Sequence, residues 1–269
     1  MQNNLTSLKS VKDWAGVTAT NDDQLLSGLI SSASRFILSY LQRPTLFQNT
    51  FSDVYDGTGG RRQVLRNFPV LSVAQVIVGS ISIPAASNPV CSGYVLDPWD
   101  GYPPGRPQSI SLRGHEFWRG FSNVQITYSA GFVIQNEPQT IPAGAPYAVQ
   151  VNAPHGNWAV DQGVTYATGI ALTPITSGTP AQGQYTVING IYTLAAADAG
   201  LGVLISYSYV PADIDQVCKE MVSERYKYRE RIGTITKSLG GQESVSFSQK
   251  DMPDFLRTTL QPYRRVVLV

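Results

Sequence analysis

The side chains best suited to chemistry lie near the middle of the chain. His115 and Glu116 are adjacent, and Asp97 and Asp100 precede them in a loop-rich stretch. Histidine and carboxylate groups bind metal ions and transfer protons in catalysis. The chain has only two histidines, the other being His155, and no His-x-x-x-His, His-Glu-x-x-His or Cys-x-x-Cys spacing. The sequence therefore predicts neither a metal site nor a cofactor.

Two other patterns associated with catalysis are incomplete. The run DGTGGRR at 56–62 has the glycines of a phosphate loop, but it lacks the Gly-Lys-Ser/Thr ending and precedes a strand pattern rather than a helix. A glycine turn between two antiparallel strands is the better interpretation. No Gly-x-Ser-x-Gly motif occurs, and Cys218, on a predicted helix, has no evident base. We therefore expect a protein without enzymatic activity.

Two further groups of side chains suit binding. Four arginines form two basic pairs, Arg61–Arg62 and Arg264–Arg265. These arginines could line a DNA conduit, pair with acidic neighbours or be solvated surface charges. The solvated surface charge is the default interpretation. Six aromatic residues lie within or shortly after the loop-rich stretch over 84–108: Tyr94, Trp99, Tyr102, Phe117, Trp118 and Phe121. They could form a surface that binds carbohydrate or a partner protein. For most of them, ordinary packing in the core and loops is the better interpretation.

The composition indicates a globular chain with little charge. Of its 269 residues 14% are charged and the formal net charge is +1, so no overall field favours nucleic acid or an anionic membrane. The 24 glycines and 17 prolines indicate many turns and strands. Without a signal core or a membrane-length apolar run, we expect a soluble protein, folded in a reducing cytoplasm, with Cys91 and Cys218 as free thiols.

Helical periodicity occurs towards both ends of the chain. Thr6 or Ser7 can cap a short helix that ends near Gly16, and a longer helix with a wide apolar face is predicted from about 21 to 43. Pro211 opens a third helix. The stripe predicted for burial on it comprises Ile214, Val217, Cys218, Met221, Val222, Arg225, Tyr228 and Ile232. Alternation from about 49 onward predicts antiparallel strands. The expected fold class is α+β: a helical core with a small antiparallel sheet, plus an inserted all-β, sandwich-like module.

A change of composition predicts the domain boundaries. Residues 135–146 contain three prolines and little to bury, which indicates a linker. Residues 147–210 carry few charges, and their short β patterns predict a compact all-β module. Similar patterns, ITYSAGF and ISYSYVP, precede and end this region. We therefore predict a module inserted into a split core that comprises 1–134 and 211–269.

The C-terminal stretch has the pattern least usual for a self-contained fold. A polar, glycine-containing arm over 238–249 precedes a short helix, for which Asp251 is a suitable N-cap and Pro262 a stop. Residues 263–269 read YRRVVLV, two arginines before four β-favouring apolar residues. Such a segment suits a strand that joins this chain's own sheet or the sheet edge of a partner. A frayed tail is a further alternative, because chain termini are often disordered.

Several segments, in the same order, resemble the head–tail connector (adaptor) proteins of tailed bacteriophages. They include LKSVKDWAGVTATNDDQLLSGLISSASRFILSYLQRP, LRNFPVLSVAQVIV, VQITYSAGF and the stretch from Pro211 to PYRRV. The most specific part is the tail pattern RIG, KSLGG, VSFS, DMP and PYRRV. Within 147–210, GVTYATGIALTPI and GQYTVINGIYTLAAADAGLGVLISYSY are similar to a β domain that recurs in phage structural proteins. The insertion and the loop over 84–108 depart from the simple family pattern.

The resemblance implies a structural role in the neck of the virion. Members of the family form a ring, typically of twelve copies, that docks on the portal, extends the DNA channel and presents a platform for the stopper or tail. DNA passes through without sequence-specific binding, and near-neutral charge suits a conduit because strongly basic walls would hold phosphates. No membrane partner is implied.

The resemblance also assigns three groups of candidate site residues. Packing of helices between ring subunits falls on Met221, Arg225 and Tyr228. The inter-subunit arm is represented by Val245, Phe247, Met252 and Phe255. Docking on the portal falls on Tyr263, Arg264, Arg265, Val266, Val267, Leu268 and Val269.

Two other interpretations compete with the connector. One is a virion protein that binds carbohydrate or a receptor through the module over 147–210 and the aromatic loop. The other is a cell-wall hydrolase, which requires a carboxylate pair or a zinc site in a cleft and for which Asp97 and Glu116 are the candidates. We expect the connector, located at the head–tail interface of the virion.

Overall fold

A computed structural model describes residues 4–99, 106–229 and 253–266, together with the backbone of 236–239 and 243–246. The chain divides into two compact units. The helical unit comprises residues 1–42 and 212–262, and the strand unit comprises residues 43–211 and 263–269. The chain is thus mixed α+β, as expected. The predicted boundaries of a split core and an inserted module do not coincide with these units, and the inserted module stays a prediction.

The helical unit contains four α-helices: α1 (Leu8–Ala15), α2 (Asp23–Leu41), α3 (Ala212–Tyr228) and α4 (Asp254–Leu260). The hydroxyl of Ser7 caps α1 by accepting from the Ser10 N–H at 3.1 Å, and Gly16 ends it with φ of +69°. The first three predicted helices are confirmed. The predicted cap Asp251 lies outside the described residues, and Pro253 precedes α4. None of the helices described is both long and apolar enough to cross a membrane.

The interior of the helical unit forms where α2 meets α3. The predicted stripe of α3 is buried from Ile214 to Val222, where α3 packs against α2, whose buried residues are Leu26, Ile30, Ala33, Ile37 and Leu41. Their three- and four-residue steps place them on one side of each helix. Burial stabilises by about 1.5–3 kcal/mol for each large side chain. The prediction is wrong for Tyr228, which is 42% exposed; Arg225 is half-buried, and Ile232 lies outside the described residues.

The strand unit contains fourteen β-strands within its described residues. They are β1 (Asn49–Gly57), β2 (Arg62–Val64), β3 (Val70–Val78), β4 (Ile81–Ile83), β5 (Gly93–Asp97), β6 (Ser109–Arg113), β7 (Gly120–Ala130), β8 (Val133–Thr140), β9 (Ala148–Gln150), β10 (Gly156–Tyr166), β11 (Thr173–Pro174), β12 (Gln184–Ile188), β13 (Ile191–Leu194) and β14 (Gly202–Pro211).

These strands form four sheets. Two antiparallel sheets, ordered β1-β7-β3-β4 and β2-β6-β5, contribute to one core in which Leu65, Ile110, Phe117, Ile126 and Tyr128 are fully buried. A third antiparallel sheet has the order β10-β14-β8. The fourth has the order β11-β12-β13-β9, in which β11 and β12 are parallel.

The structure corrects three details of the predicted strand region. The DGTGGRR run is a turn, with φ of +81° at Gly59, but it does not close a hairpin: β1 pairs with β7, and β2 with β6. The loop-rich stretch over 84–108 contains strand β5. The segment predicted as a linker over 135–146 is in its first part strand β8, which pairs with β14. Pro138 is compatible with this pairing because β8 is an edge strand, where a missing N–H can face away from the ladder.

The predicted arm is partly ordered as strands. Strand β15 (Thr236–Leu239) pairs antiparallel with β16 (Glu243–Ser246), and Lys237 lies opposite Val245. Phe247 and Met252 lie outside the described residues. Phe255, on α4, is exposed.

Candidate functional site

The described carboxylates with catalytic potential form ion pairs with different arginines. Asp97 pairs with Arg62 at 3.0 Å, and Glu116 pairs separately with Arg61 at 3.5 Å, both at exposed positions. Asp100 lies outside the described residues. Within the described ranges, no group of three or more His, Cys, Asp or Glu side chains is arranged to hold a metal ion.

The aromatic residues fall into two classes. Phe117 is fully buried in the core, and the hydroxyl of Tyr94 donates to the carbonyl of Val73 at 3.1 Å. Trp99, Trp118 and Phe121 are exposed, whereas Tyr102 lies outside the described residues.

The region over 147–210 contains part of an open cleft of about 440 Å³, lined by Asp161, Thr165, Leu172, Tyr185 and Ser206 among others. The carboxylate of Asp161 accepts hydrogen bonds from the hydroxyls of Tyr185 (2.6 Å) and Tyr192 (2.9 Å) and from the Gly163 N–H (3.1 Å). This carboxylate therefore has three partners in its own chain, and it serves to hold β10 to β12 and β13.

The residues predicted to pack between ring subunits have different environments. Met221 is 4% exposed, so it belongs to the interior of the helical unit. Arg225 is half-buried; it donates to the hydroxyl of Ser32 at 3.3 Å and lies 5.6 Å from the ring centroid of Phe36. Tyr228 is 42% exposed. Arg225 and Tyr228 thus have surface to offer a neighbouring subunit, and Met221 does not.

An ion-paired aspartate joins the start of α2 to the end of α3. Asp22 accepts two hydrogen bonds from Arg229, at 3.1 and 3.0 Å, and one from the hydroxyl of Tyr226 at 2.6 Å. These hydrogen bonds, that of Arg229 first, lower the pKa of Asp22 from 3.8 to about 2.

The predicted docking segment begins in contact with the strand unit. Tyr263 is 6% exposed, and its ring centroid lies 5.9 Å from that of Phe132, which also packs against Tyr209. The N–H of Val266 donates to the carbonyl of Arg66 at 3.2 Å. Arg264 is half-buried. Val267, Leu268 and Val269 lie outside the described residues.

A buried carboxylate, Asp53 of β1, holds this segment. Its Oδ2 accepts hydrogen bonds from the hydroxyls of Tyr128 (2.6 Å) and Tyr55 (3.1 Å). Its Oδ1 lies 3.7 Å from Nη1 of Arg66 and 3.6 Å from Nη2 of Arg265. We refer to Asp53, Arg66, Tyr128, Tyr263 and Arg265 as the tail anchor.

Strand geometry explains how the tail anchor forms. Asp53 and Tyr55 are two residues apart on β1 and therefore point to the same side. Asp53 lies opposite Ile126 of β7, so Tyr128 is its diagonal neighbour. Asn67 then donates from its backbone N–H and its side chain to the hydroxyl of Tyr128, each at 3.2 Å. The tyrosine hydroxyl is thereby fixed to donate to Asp53.

Burial keeps the tyrosines of this network neutral. It raises the pKa of Tyr128 to about 12, and the hydrogen bond to Asp53 acts in the same direction. The pKa of Tyr55 is also raised, first by burial and then by the nearby Tyr128 and Asp53. Both hydroxyls therefore remain donors to a charged carboxylate at neutral pH.

A third arginine lies beside the tail anchor. Arg43 is 5% exposed; its guanidinium stacks 4.1 Å from the ring centroid of Phe68, and Nη1 donates to the Phe68 carbonyl. Burial above all, together with the positive charge of Arg265, lowers the pKa of Arg43 to about 10, while Tyr128 acts in the opposite direction. We refer to Arg43, Arg66 and Arg265 as the arginine cluster.

The sequence analysis did not identify Asp53. One local signal was present: in FSDVYDG, Asp53 alternates with Phe51 and Tyr55 on the side of β1 that faces inward. A carboxylate at such a position needs a buried partner. Arg265, near the other end of the chain, is a partner that no local pattern indicates.

Comparisons with known proteins confirm the resemblance over part of the chain. Residues 5–82 match the family described as phage gp6-like head-tail connector protein. This match includes α1, α2 and the residues Arg43, Asp53 and Arg66, but not the tail. No curated protein matches the chain.

One similar solved structure is a chain described as the neck of an empty GTA particle computed with C6 symmetry. It is 12% identical, with a TM-score of 0.40, and the match covers 99% of this chain and 93% of that chain. A TM-score of this size does not establish a common fold.

Proposed function

We propose that this protein is a structural component of a phage neck that connects the head to the tail. Copies of the chain form a ring, typically of twelve, which docks on the portal, extends the DNA channel and offers a platform to the stopper or tail. The match of residues 5–82 to the connector family is the observation that supports this role. The protein acts by assembly rather than by catalysis, and its place is in the virion.

Docking on the portal is the task of the segment from Tyr263 to Val269. Support comes from the tail anchor, which holds Tyr263, Arg265 and Val266 on the strand unit. A strand that adds to a partner's sheet binds through its main chain, and fixing its first residues reduces the entropy lost on docking. In this proposal the tail anchor fixes the position at which the docking strand begins, and Val267, Leu268 and Val269 make the contact with the portal.

Ring formation in the proposal uses the helical unit. Arg225 and Tyr228 lie near the end of α3, are accessible, and provide an aromatic and a cationic side chain, types that are common in interface contacts. Phe255, exposed on α4, is a further candidate.

Portal binding by three forms of the protein tests this proposal. The full chain, a chain that ends at Val266 and a chain that ends at Gln261 are each mixed with assembled portal rings of the same phage. Retention is measured by co-sedimentation, and folding of each form by circular dichroism. The chain that ends at Val266 keeps all residues of the tail anchor and lacks only Val267–Val269. Its portal binding therefore reports on the docking strand alone, without damage to the strand unit.

The full chain is expected to bind the portal. Removal of Val267–Val269 should weaken binding at least tenfold while the thermal unfolding midpoint stays unchanged. If the chain that ends at Gln261 binds as tightly as the full chain, the tail is not the docking element. If the full chain does not bind the portal ring, the connector role itself is contradicted.

A further inference from the structure

The arginine cluster has an excess of positive charge. Arg43, Arg66 and Arg265 supply three guanidinium groups, and the carboxylate of Asp53 pairs with the last two. The adjacent tyrosines are neutral, so among the residues that the structure describes here one negative charge against three positive charges leaves a net charge of +2. Such charge, largely withdrawn from water, is costly unless a counter-ion compensates it.

Several donors of the cluster are also unused. As far as the structure describes the chain, Nε and Nη2 of Arg43 and Nε of Arg265 are buried without a hydrogen-bond partner. The arginine–Asp53 distances of 3.6 and 3.7 Å are too long for direct hydrogen bonds. The cluster therefore has uncompensated charge and unsatisfied donors. These donors are buried, so an oxygen ligand from outside has access only to the exposed parts of Arg66 and Arg265.

One side of the cluster is open to a ligand. The side chains of Arg66 and Arg265 are 32% and 33% exposed, whereas Arg43 is 5% exposed. An anion that arrives from solvent would meet Arg66 and Arg265 first. Guanidinium groups match the two coplanar oxygens of a carboxylate, with which they form paired hydrogen bonds.

We propose that the arginine cluster binds a second carboxylate, supplied by an acidic side chain of the protein that docks against the tail. That the docking protein is a neck component rests on the proposed function. The position of Arg265 supports the proposal, because it belongs to the tail segment and an acidic residue beside that segment can reach it. Docking would then neutralise part of the excess charge of the cluster.

Thermal unfolding of the full chain in different anions tests the site without any partner. Sodium acetate and inorganic phosphate are each compared with sodium chloride at constant pH and ionic strength, over a range of concentrations. The variants are Arg265→Gln and the milder Arg265→Lys, which keeps the charge but loses the planar fork. Arg62→Gln is the matched control, since Arg62 is an exposed arginine that pairs with Asp97.

Acetate at tenfold above its Kd should raise the unfolding midpoint of the native chain by about 3 °C relative to chloride. The same rise is expected in Arg62→Gln, with most of it lost in Arg265→Gln and part of it in Arg265→Lys. An equal response to acetate and chloride, or an undiminished rise in Arg265→Gln, would overturn the proposal.

A rise in phosphate but not in acetate would also overturn it, since a phosphate such as that of a nucleic acid backbone would then be the ligand. Because the portal is not used, the anion response and portal binding are independent results. Either can fail while the other holds.

Discussion

Asp53 is the residue on which the described part of the tail depends most. It is buried, it receives two tyrosine hydroxyls, and it lies between Arg66 and Arg265. Removing the charge from such a group leaves Arg66 and Arg265, whose side chains are 32% and 33% exposed, without their counter-charge. Its loss should therefore affect both the stability of the strand unit and the attachment of the tail.

We predict that Asp53→Asn lowers the free energy of unfolding by about 2–4 kcal/mol, as expected when one partner of a buried pair is removed. Chemical denaturation measures the change, and hydrogen exchange of Val266 should increase because its bond to Arg66 is weakened. Asp97→Asn is the control, because Asp97 lies 3.0 Å from Arg62 but at an exposed position. That variant should lose less than about 1 kcal/mol; equal losses would contradict the role of burial.

Cys218 gives a second prediction for a single side chain. Burial raises the pKa of its thiol to about 12, and the thiol lies 3.7 Å from the hydroxyl of Ser34 inside the helical unit. Thiolate is the reactive form, so the folded protein should show one thiol that reacts quickly with an aromatic disulfide reagent, that of half-buried Cys91. Both thiols should react after denaturation. Fast labelling of Cys218 in the folded protein would indicate that α3 is not packed against α2 as described.

The residues of the tail anchor show where sequence reasoning ends. The inward position of Asp53 is visible in the alternation of FSDVYDG, and YRRVVLV is visible as an unusual segment. That Arg265 pairs with Asp53 is not visible, because the two residues are brought together by pairing of β1 with β7 and by the path of the chain after α4. Local periodicity contains no information about such contacts.

Two residues of helix α3 were both predicted to pack between ring subunits, but they have different environments. Met221 and Tyr228 lie seven residues apart on the helix, yet Met221 is buried and Tyr228 is exposed. Truncation at each position should therefore change a different property.

We predict that Met221→Ala lowers the free energy of unfolding by about 2–4 kcal/mol, since it leaves a cavity. Tyr228→Ala should change stability by less than about 1 kcal/mol but reduce the population of rings in mass photometry. Rings that form as readily with Tyr228→Ala as with the native chain would remove Tyr228 from the ring interface.

The link between α2 and α3 predicts a pH dependence. The folded pKa of Asp22 is about 2 against an ordinary value of 3.8, so the unfolded chain takes up the proton first as pH falls. The stabilising contribution is complete above pH 4 and is lost between pH 4 and pH 2. The native chain should lose more stability over that range than Asp22→Asn does. Asp13→Asn, at an exposed carboxylate on α1, should behave like the native chain.

The helices are easier to predict from this sequence than the pairing of the strands, for a physical reason. Helices α1, α2 and α3 follow from caps and from three- and four-residue steps, which are local in sequence. Strand partners are not local: the glycine turn at 56–62 indicated a hairpin, but its two strands belong to different sheets. The prolines of 135–146 indicate a linker, because the sequence does not show that β8 lies at a sheet edge, where a proline is tolerated.

For the whole molecule, the proposed connector is an assembly protein whose parts have separate tasks. The helical unit supplies the candidate ring contacts, and the strand unit holds the start of the docking segment. The match of residues 5–82 to the connector family includes residues of both units.

Disruption of the gene in the phage that encodes the chain tests the connector role most directly. Electron microscopy of the lysate should show heads without tails alongside unattached tails. The heads are either filled with DNA or have lost it through the unsealed channel, and purified chain added in vitro to the filled heads should restore tailed, infectious particles. Complete tailed particles in the absence of the chain would contradict the connector role.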